Sequence, residues 1–161
     1  MDEPYKSILE KLLEALKEKY NERLISVVLF GSVARGEARR DSDIDLLLVI
    51  EGLPKSRLKR QEEFLEVESN LVEMIEALED YTIEISPIMK TPEEVAKYPP
   101  ILLDMVEDAI ILHDRNEFFK NLIEDLRKKL EKLGAKRVRM GKRWFWILKP
   151  DYKFGEVIKI E

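Results

Sequence analysis

Cysteine is absent from the 161 residues and histidine occurs once, as His113. Disulfides, thiolate nucleophiles and cysteine-ligated zinc are thereby excluded, and most histidine-based metal sites go with them. Any metal here must be held by oxygen. Long apolar runs are missing too: none approaches the ~18 residues that a membrane span needs, and the first twenty residues carry charge at nearly every turn. Neither a transmembrane helix nor a signal peptide fits, so a cytoplasmic protein without a membrane partner is expected. Amides are scarce, with Asn21, Asn70, Asn116, Asn121 and Gln61 the whole inventory beside abundant Lys, Arg and Glu. That bias is seen in hyperthermophile proteins and points to a thermophilic source. What is present is 45% hydrophobic and 38% charged, 28 basic residues against 33 acidic, a balance that suits one folded domain with a solvated surface.

From Tyr5 the apolar residues Ile8, Leu9, Leu12, Leu13, Leu16 and Tyr20 repeat at 3.6-residue spacing, with Pro4 in the first turn, which predicts an amphipathic helix. Leu24 to Phe30 and Ile44 to Ile50 are short apolar runs that read as buried strands. Between them lies Gly31-Ser-Val-Ala-Arg-Gly36, then a polar stretch from Glu37 to Ser42. Arg57 to Glu79 carries Leu58, Phe64, Leu65, Leu71, Val72, Ile75 and Leu78 at helical spacing, long enough to cross back and connect parallel strands. Tyr81 to Ile88 alternates like a half-buried strand, which Pro87 is expected to end. Thr91-Pro92-Glu93-Glu94 starts a helix that Tyr98-Pro-Pro100 breaks. Ile101 to Asp114 is ambiguous between helix and strand; a helix running into an apolar segment at Ile110 to Leu112 is favoured. Asn116 to Leu133 reads as a helix closed by Gly134.

Beyond Gly134 the character changes. Residues 134 to 161 hold eight basic and three acidic residues, a net of +5, so residues 1 to 133 carry −10 of the total −5. Arg137 to Met140, Arg143 to Leu148 and Glu156 to Ile160 look like strands around turns at Gly141 and at Pro150 to Gly155. Trp144, Phe145, Trp146, Tyr152 and Phe154 are interleaved with Lys142, Arg143, Lys149 and Lys153, a composition able to stack bases or engage nucleic acid. Trp144 and Trp146 share one strand face, however, and packing that face on the body is the commoner use of large aromatics.

Asp43 and Asp45 are two apart in a strand, so they leave the same face with carbons roughly 7 Å apart. Such a pair suits Mg²⁺, which takes hard oxygen ligands, few of them from protein. Glu84, on the polar face of the later strand, is the candidate third ligand if that strand is adjacent, and Asp80, lying before that strand, is the fallback. Upstream, the backbone N–H groups at Gly31 and Ser32, with the Ser32 hydroxyl, form an anion cradle at a strand end. A phosphate cradle beside a carboxylate pair points to a metal-bound nucleoside triphosphate. Arg39 and Arg40 read as a solvated basic loop rather than a clamp, and His113 as a residue at an element terminus.

The run from Gly31-Ser32 through Arg35-Gly36 to Ser42-Asp43-Ile-Asp45-Leu46 resembles the G-S-x₁₀-D-x-D signature of the DNA polymerase β nucleotidyltransferase superfamily, and specifically its minimal nucleotidyltransferases. The resemblance covers the first helix to about residue 112. It implies an α/β nucleotidyltransferase fold, a mixed sheet flanked by helices, with a core over 1–115 and a C-terminal helix and small basic β-hairpin extension over 116–161 of the same domain. It also implies that Gly31, Ser32, Arg35 and Ser42 bind nucleotide and that Asp43, Asp45 and Glu84 hold Mg²⁺, two ions or Mn²⁺ in their place. Glu84 stands where the family more often has Asp. The activity expected is transfer of a nucleoside monophosphate, AMP from ATP or another triphosphate, to a hydroxyl. By analogy with antitoxins of this size, the acceptor is expected to be a tyrosine of a HEPN-type toxin partner. Two other readings stay open: a protein of the same fold that binds nucleotide or partner without chemistry, and a modifier of small molecules, which the missing acceptor domain disfavours.

Overall fold

The computed structural model describes residues 1–141 and 143–160; Lys142, one of the basic residues among the tail aromatics, and Glu161 lie outside them. The elements in chain order are α1 (Tyr5–Tyr20), β1 (Leu24–Phe30), α2 (Gly31–Ala34), β2 (Ile44–Ile50), α3 (Arg57–Glu68), α4 (Val72–Glu76), β3 (Ile85–Lys90), α5 (Pro92–Val95), β4 (Ile110–Asp114), α6 (Phe118–Leu133), β5 (Lys136–Met140) and β6 (Arg143–Ile147). Four strands form one mixed sheet in the order β3-β2-β1-β4, in which β1 is antiparallel to both neighbours and β2 and β3 run parallel. β5 and β6 make a separate antiparallel hairpin.

β1 and β2 are central and, apart from Ser26 and Asp45, apolar, so alternate residues feed two cores. Leu29, Leu46 and Leu48 pack with Leu12 and Leu16 of α1 and Phe64 of α3, whereas Val28, Leu47 and Val49 face Phe119, Ile123 and Leu126 of α6. Each such fully buried side chain contributes about 2 kcal/mol of hydrophobic stabilisation, and the two layers together fix the register Phe30 to Asp45 at the end where the candidate site lies. Asp114 ties β4 to α6: its carboxylate accepts from the Ser26 hydroxyl at 2.7 Å and from the N–H groups of Phe119 and Lys120 at 2.8 and 2.9 Å. His113 sits one residue from the end of β4, opposite Val27. α6 ends as its sequence predicts, at Gly134 in the left-handed region with Ala135 N–H bonded to Leu130 O.

Several expectations need correction. The helix expected over Arg57 to Glu79 is broken after Glu68, because the side chains of Ser69 and Asn70 take the carbonyls of Glu66 and Val67 that a continuing helix would use. Within α3 the buried face is Arg60, Phe64 and Val67, and Leu58 and Leu65 lie off it, exposed. Pro87 does not end a strand but lies inside β3, opposite Leu46. β3 is an edge strand, and since Glu84 O accepts from Ile44 N–H at 2.8 Å, alternation turns the backbone of residue 87 outward, where proline's missing donor is not needed. The helix expected from Ile101 is only a 3₁₀ turn over Pro100–Asp104, and the apolar segment expected after it, Ile110 to Leu112, is part of strand β4. Glu156 to Ile160 is not a strand. There Glu156 pairs with Lys149 and closes a turn with Lys153, and Phe154 and Val157 face solvent with nothing to bury them.

The C-terminal hairpin packs on the body through one face. Trp146 donates its indole N–H to Leu103 O at 2.9 Å and joins the core under α6, while Phe145 and Ile147 point outward. Trp144, half-buried on the same face, is covered by Arg137, whose Cζ lies 4.0 Å from the ring centroid. The two tryptophans are thus spent on packing. Among the described residues, no helix is long and apolar enough to cross a membrane.

Candidate active site

The site forms where β1 hands over to α2 and β2 begins. Gly31 has φ +77°, a backbone that side chains strain to adopt, and it is packed against Asp45: a Cβ at residue 31 would overlap Asp45 Oδ2 and come within 3.2 Å of its Cγ. The antiparallel register makes this unavoidable, since Asp45 pairs with Phe30. Gly31 and Ser32 open α2 and are partly exposed, so their backbone stands beside the Asp45 carboxylate. The cradle and the acid are one structure.

Asp43 and Asp45 leave β2 and its approach on the same face, Ile44 between them being fully buried in the α1 core. Burial first, and then the charge of Asp43, push the carboxyl of Asp45 above the ordinary carboxylate range; Arg35 pulls it down and Asp104 adds a further push. A carboxylate held up in this way, with a second one beside it, is short of positive charge. The donor set is two hard oxygen ligands, and it fits a divalent cation such as Mg²⁺ or Mn²⁺.

Asp104, at the end of the 3₁₀ turn, was not singled out by the sequence. Its carboxyl is raised by burial and held down by Arg137 and then Arg35, so two guanidiniums and two acids from four separate segments share one field. No local pattern announces this, because each contact spans long stretches of chain. Arg35 itself is largely covered: its Nε is buried without a hydrogen-bond partner and lies 3.7 Å from Glu37 Oε2. An unsatisfied buried donor beside a carboxylate pair is suited to a phosphate oxygen.

The other predicted residues are placed as follows. Ser42 uses its hydroxyl to accept from Arg39 N–H at 2.7 Å, while its own N–H bonds Arg39 O at 3.0 Å, so it shapes the loop entering β2. Glu84 reaches the strand beside the pair, its carbonyl bonded to Ile44, but its side chain is exposed and its charge acts on Glu68 of α3 rather than on Asp45. Among the described residues, no three acids or histidines are gathered closely enough to hold a metal between them. Asp80 is turned to solvent, 4.0 Å from the exposed Arg40, and so does not join the pair. Arg39 and Arg40 belong to a solvated loop, Arg40 lying over Tyr81 and the Arg39 carbonyl accepting from Tyr5 Oη at 2.7 Å. With Arg35, Tyr5 and Tyr81 they line an open cleft of about 590 Å³ that also touches Val33 and Ala34 of α2.

Comparison with known proteins shows the family of the chain. Residues 9–113 match the model of the nucleotidyltransferase domain family. A Methanocaldococcus jannaschii protein provisionally named protein adenylyltransferase MJ1305 is 32% identical over 86% of this chain and 91% of its own length. The protein adenylyltransferase MntA of Thermococcus cleftensis is 39% identical over 55% of this chain and 77% of its own. Among solved structures, a chain from the complex of an AMPylated Shewanella oneidensis HEPN toxin with its MNT antitoxin is similar with a TM-score of 0.49 and 14% identity, over 80% of this chain and 87% of that one.

Proposed function

The chain belongs to the nucleotidyltransferase domain family and is a nucleotidyltransferase, and from that premise we propose that it transfers AMP from ATP to a protein hydroxyl, a tyrosine of a HEPN-type toxin partner, as the antitoxin of a pair. The observation that carries this reading is the contact of the Asp45 carboxylate with Gly31, which joins an acid pair to a phosphate cradle. Curated relatives named as protein adenylyltransferases support the choice of AMP and of a protein acceptor.

Asp43 and Asp45 would hold a divalent cation, which when bound would neutralise the triphosphate and acidify the acceptor hydroxyl. Gly31 and Ser32 orient the phosphates through backbone N–H groups, and Arg35 offers its buried Nε to a phosphate oxygen. The acceptor oxygen bonds to the α-phosphorus, the bond from that phosphorus to the bridging oxygen breaks, and pyrophosphate leaves with its electrons. Glu84, exposed beside the pair, is assigned to complete the cation's ligands and take the acceptor's proton.

The test is incubation of the protein with Mg²⁺, α-labelled ATP and a host extract or purified HEPN-type partner, beside Asp45→Asn. A labelled protein band absent from the variant lane is the expected result; label retained by Asp45→Asn, or none in either lane with every nucleotide tried, overturns it. A second reading, nucleotide or partner binding without transfer, is favoured by one observation, that the charge of Glu84 acts on Glu68 and not on Asp45. It predicts unchanged partner affinity in Asp43→Ala and Asp45→Ala and no labelling by the unaltered protein.

A further inference from the structure

The basic C-terminal hairpin reaches the site through a single side chain. Arg139 on β5 directs Nη1 and Nη2 to the two carboxylate oxygens of Glu37, 3.3 and 3.4 Å away, across 102 residues of sequence. Glu37 follows the Gly31–Gly36 turn, and its Oε2 is also the atom 3.7 Å from the buried Nε of Arg35. Two guanidiniums thus converge on one carboxylate beside the phosphate cradle. Arg139 is presented as a two-pronged fork, the geometry by which arginine takes phosphate.

Arg139 has contacts within its own hairpin. Its Nε donates to Gly141 O at 2.9 Å and its Cζ lies 5.3 Å from the Trp144 ring, while on the same strand Arg137 is bound to Glu107 at 3.2 Å and Asp108 at 2.6 Å. Glu37 sits on a loop and, like Arg139, is substantially exposed, and the distances between the two are long. A single negative charge satisfies two positive ones only in part.

We infer that Arg139 is a phosphate-binding residue of the active site, supplied by the C-terminal hairpin, and that Glu37 occupies its fork and stands beside the unpartnered Nε of Arg35 until the triphosphate of the nucleotide takes its place. The inference rests on the proposed nucleotidyl-transfer reading. It gives the hairpin a task at the β- and γ-phosphates, and it makes Glu37 a competitor of the substrate whose removal improves binding.

The experiment measures affinity for Mg²⁺–ATP and for Mg²⁺–tripolyphosphate by calorimetry in the unaltered protein, Arg139→Gln, Arg139→Lys and Glu37→Gln, with thermal melts confirming that each is folded. Expected are a loss of about tenfold for both ligands in Arg139→Gln, partial recovery in Arg139→Lys, which keeps charge but loses the fork, and a gain of several-fold in Glu37→Gln. Unchanged affinities in Arg139→Gln and Glu37→Gln while the unaltered protein binds both ligands overturn this inference alone. A loss for ATP without one for tripolyphosphate also overturns it, since the contact then lies at the nucleoside. Absence of ATP binding by the unaltered protein removes the nucleotidyl-transfer reading and this inference with it.

Discussion

Asp45 lies so close over Gly31 that its carboxylate fills the place of the side chain Gly31 lacks. Gly31→Ala therefore acts twice. The left-handed backbone at φ +77° costs roughly 1–2 kcal/mol with a Cβ present, and the new methyl displaces the acid from the cradle. A denaturant melt is expected to register the modest loss of stability, and the transfer assay a fall of about a hundredfold or more, since a shift of about 1 Å at a reacting centre has that consequence. Equal residual activity per folded molecule would mean that the contact does not position Asp45.

Asp45→Asn should separate stability from function. Burial and Asp43 raise the Asp45 carboxyl in the folded protein, so the ionised form is disfavoured there relative to the unfolded chain. The stability it contributes is complete below its unfolded pKa and is lost as pH rises through the folded one. In metal-free protein at neutral pH the variant is expected to melt higher than its parent, with the difference shrinking on acidification, while transfer falls on the order of a thousandfold. Added Mg²⁺ should raise the Tm of the parent and leave that of the variant unmoved.

Glu84→Gln bears on the acceptor's proton. Because Glu84 is assigned both to the cation and to that proton, its loss should weaken Mg²⁺–ATP affinity about tenfold and lower the rate of transfer about a hundredfold at neutral pH. An unchanged rate would reassign the proton to solvent.

Asp114→Ala serves as a contrast remote from the chemistry. It removes one hydroxyl and two backbone donors' acceptor at once, and a loss of about 2–3 kcal/mol in chemical denaturation is expected, with ATP affinity of the folded fraction unaltered.

The parts legible in the sequence are those whose signals are local. The stripe of α1, the apolar runs of β1 and β2, the cap at Gly134 and the Gly31 to Asp45 motif each reside in a single window, and they appear in the structure where their residues put them. The rest depends on contacts that no window contains. Ser69 and Asn70 stop α3 by side-chain bonds that compete with an otherwise helical pattern. Pro87 is tolerated because β3 proves to be an edge. Asp104, Arg137 and Arg139 reach the site only after α6 and the hairpin fold back over the sheet.

That same Pro87 bears on how molecules of this protein can meet. A strand added along β3 would find no donor at residue 87, whereas the opposite border, β4, exposes Ile110 and Ile111 and has no proline. A ribbon with one obstructed border and one open border can join a second such ribbon once, border to border, and then has none left to offer. Strand addition is thus hindered at β3 and easier at β4, which biases association along this sheet toward pairs and away from long stacks.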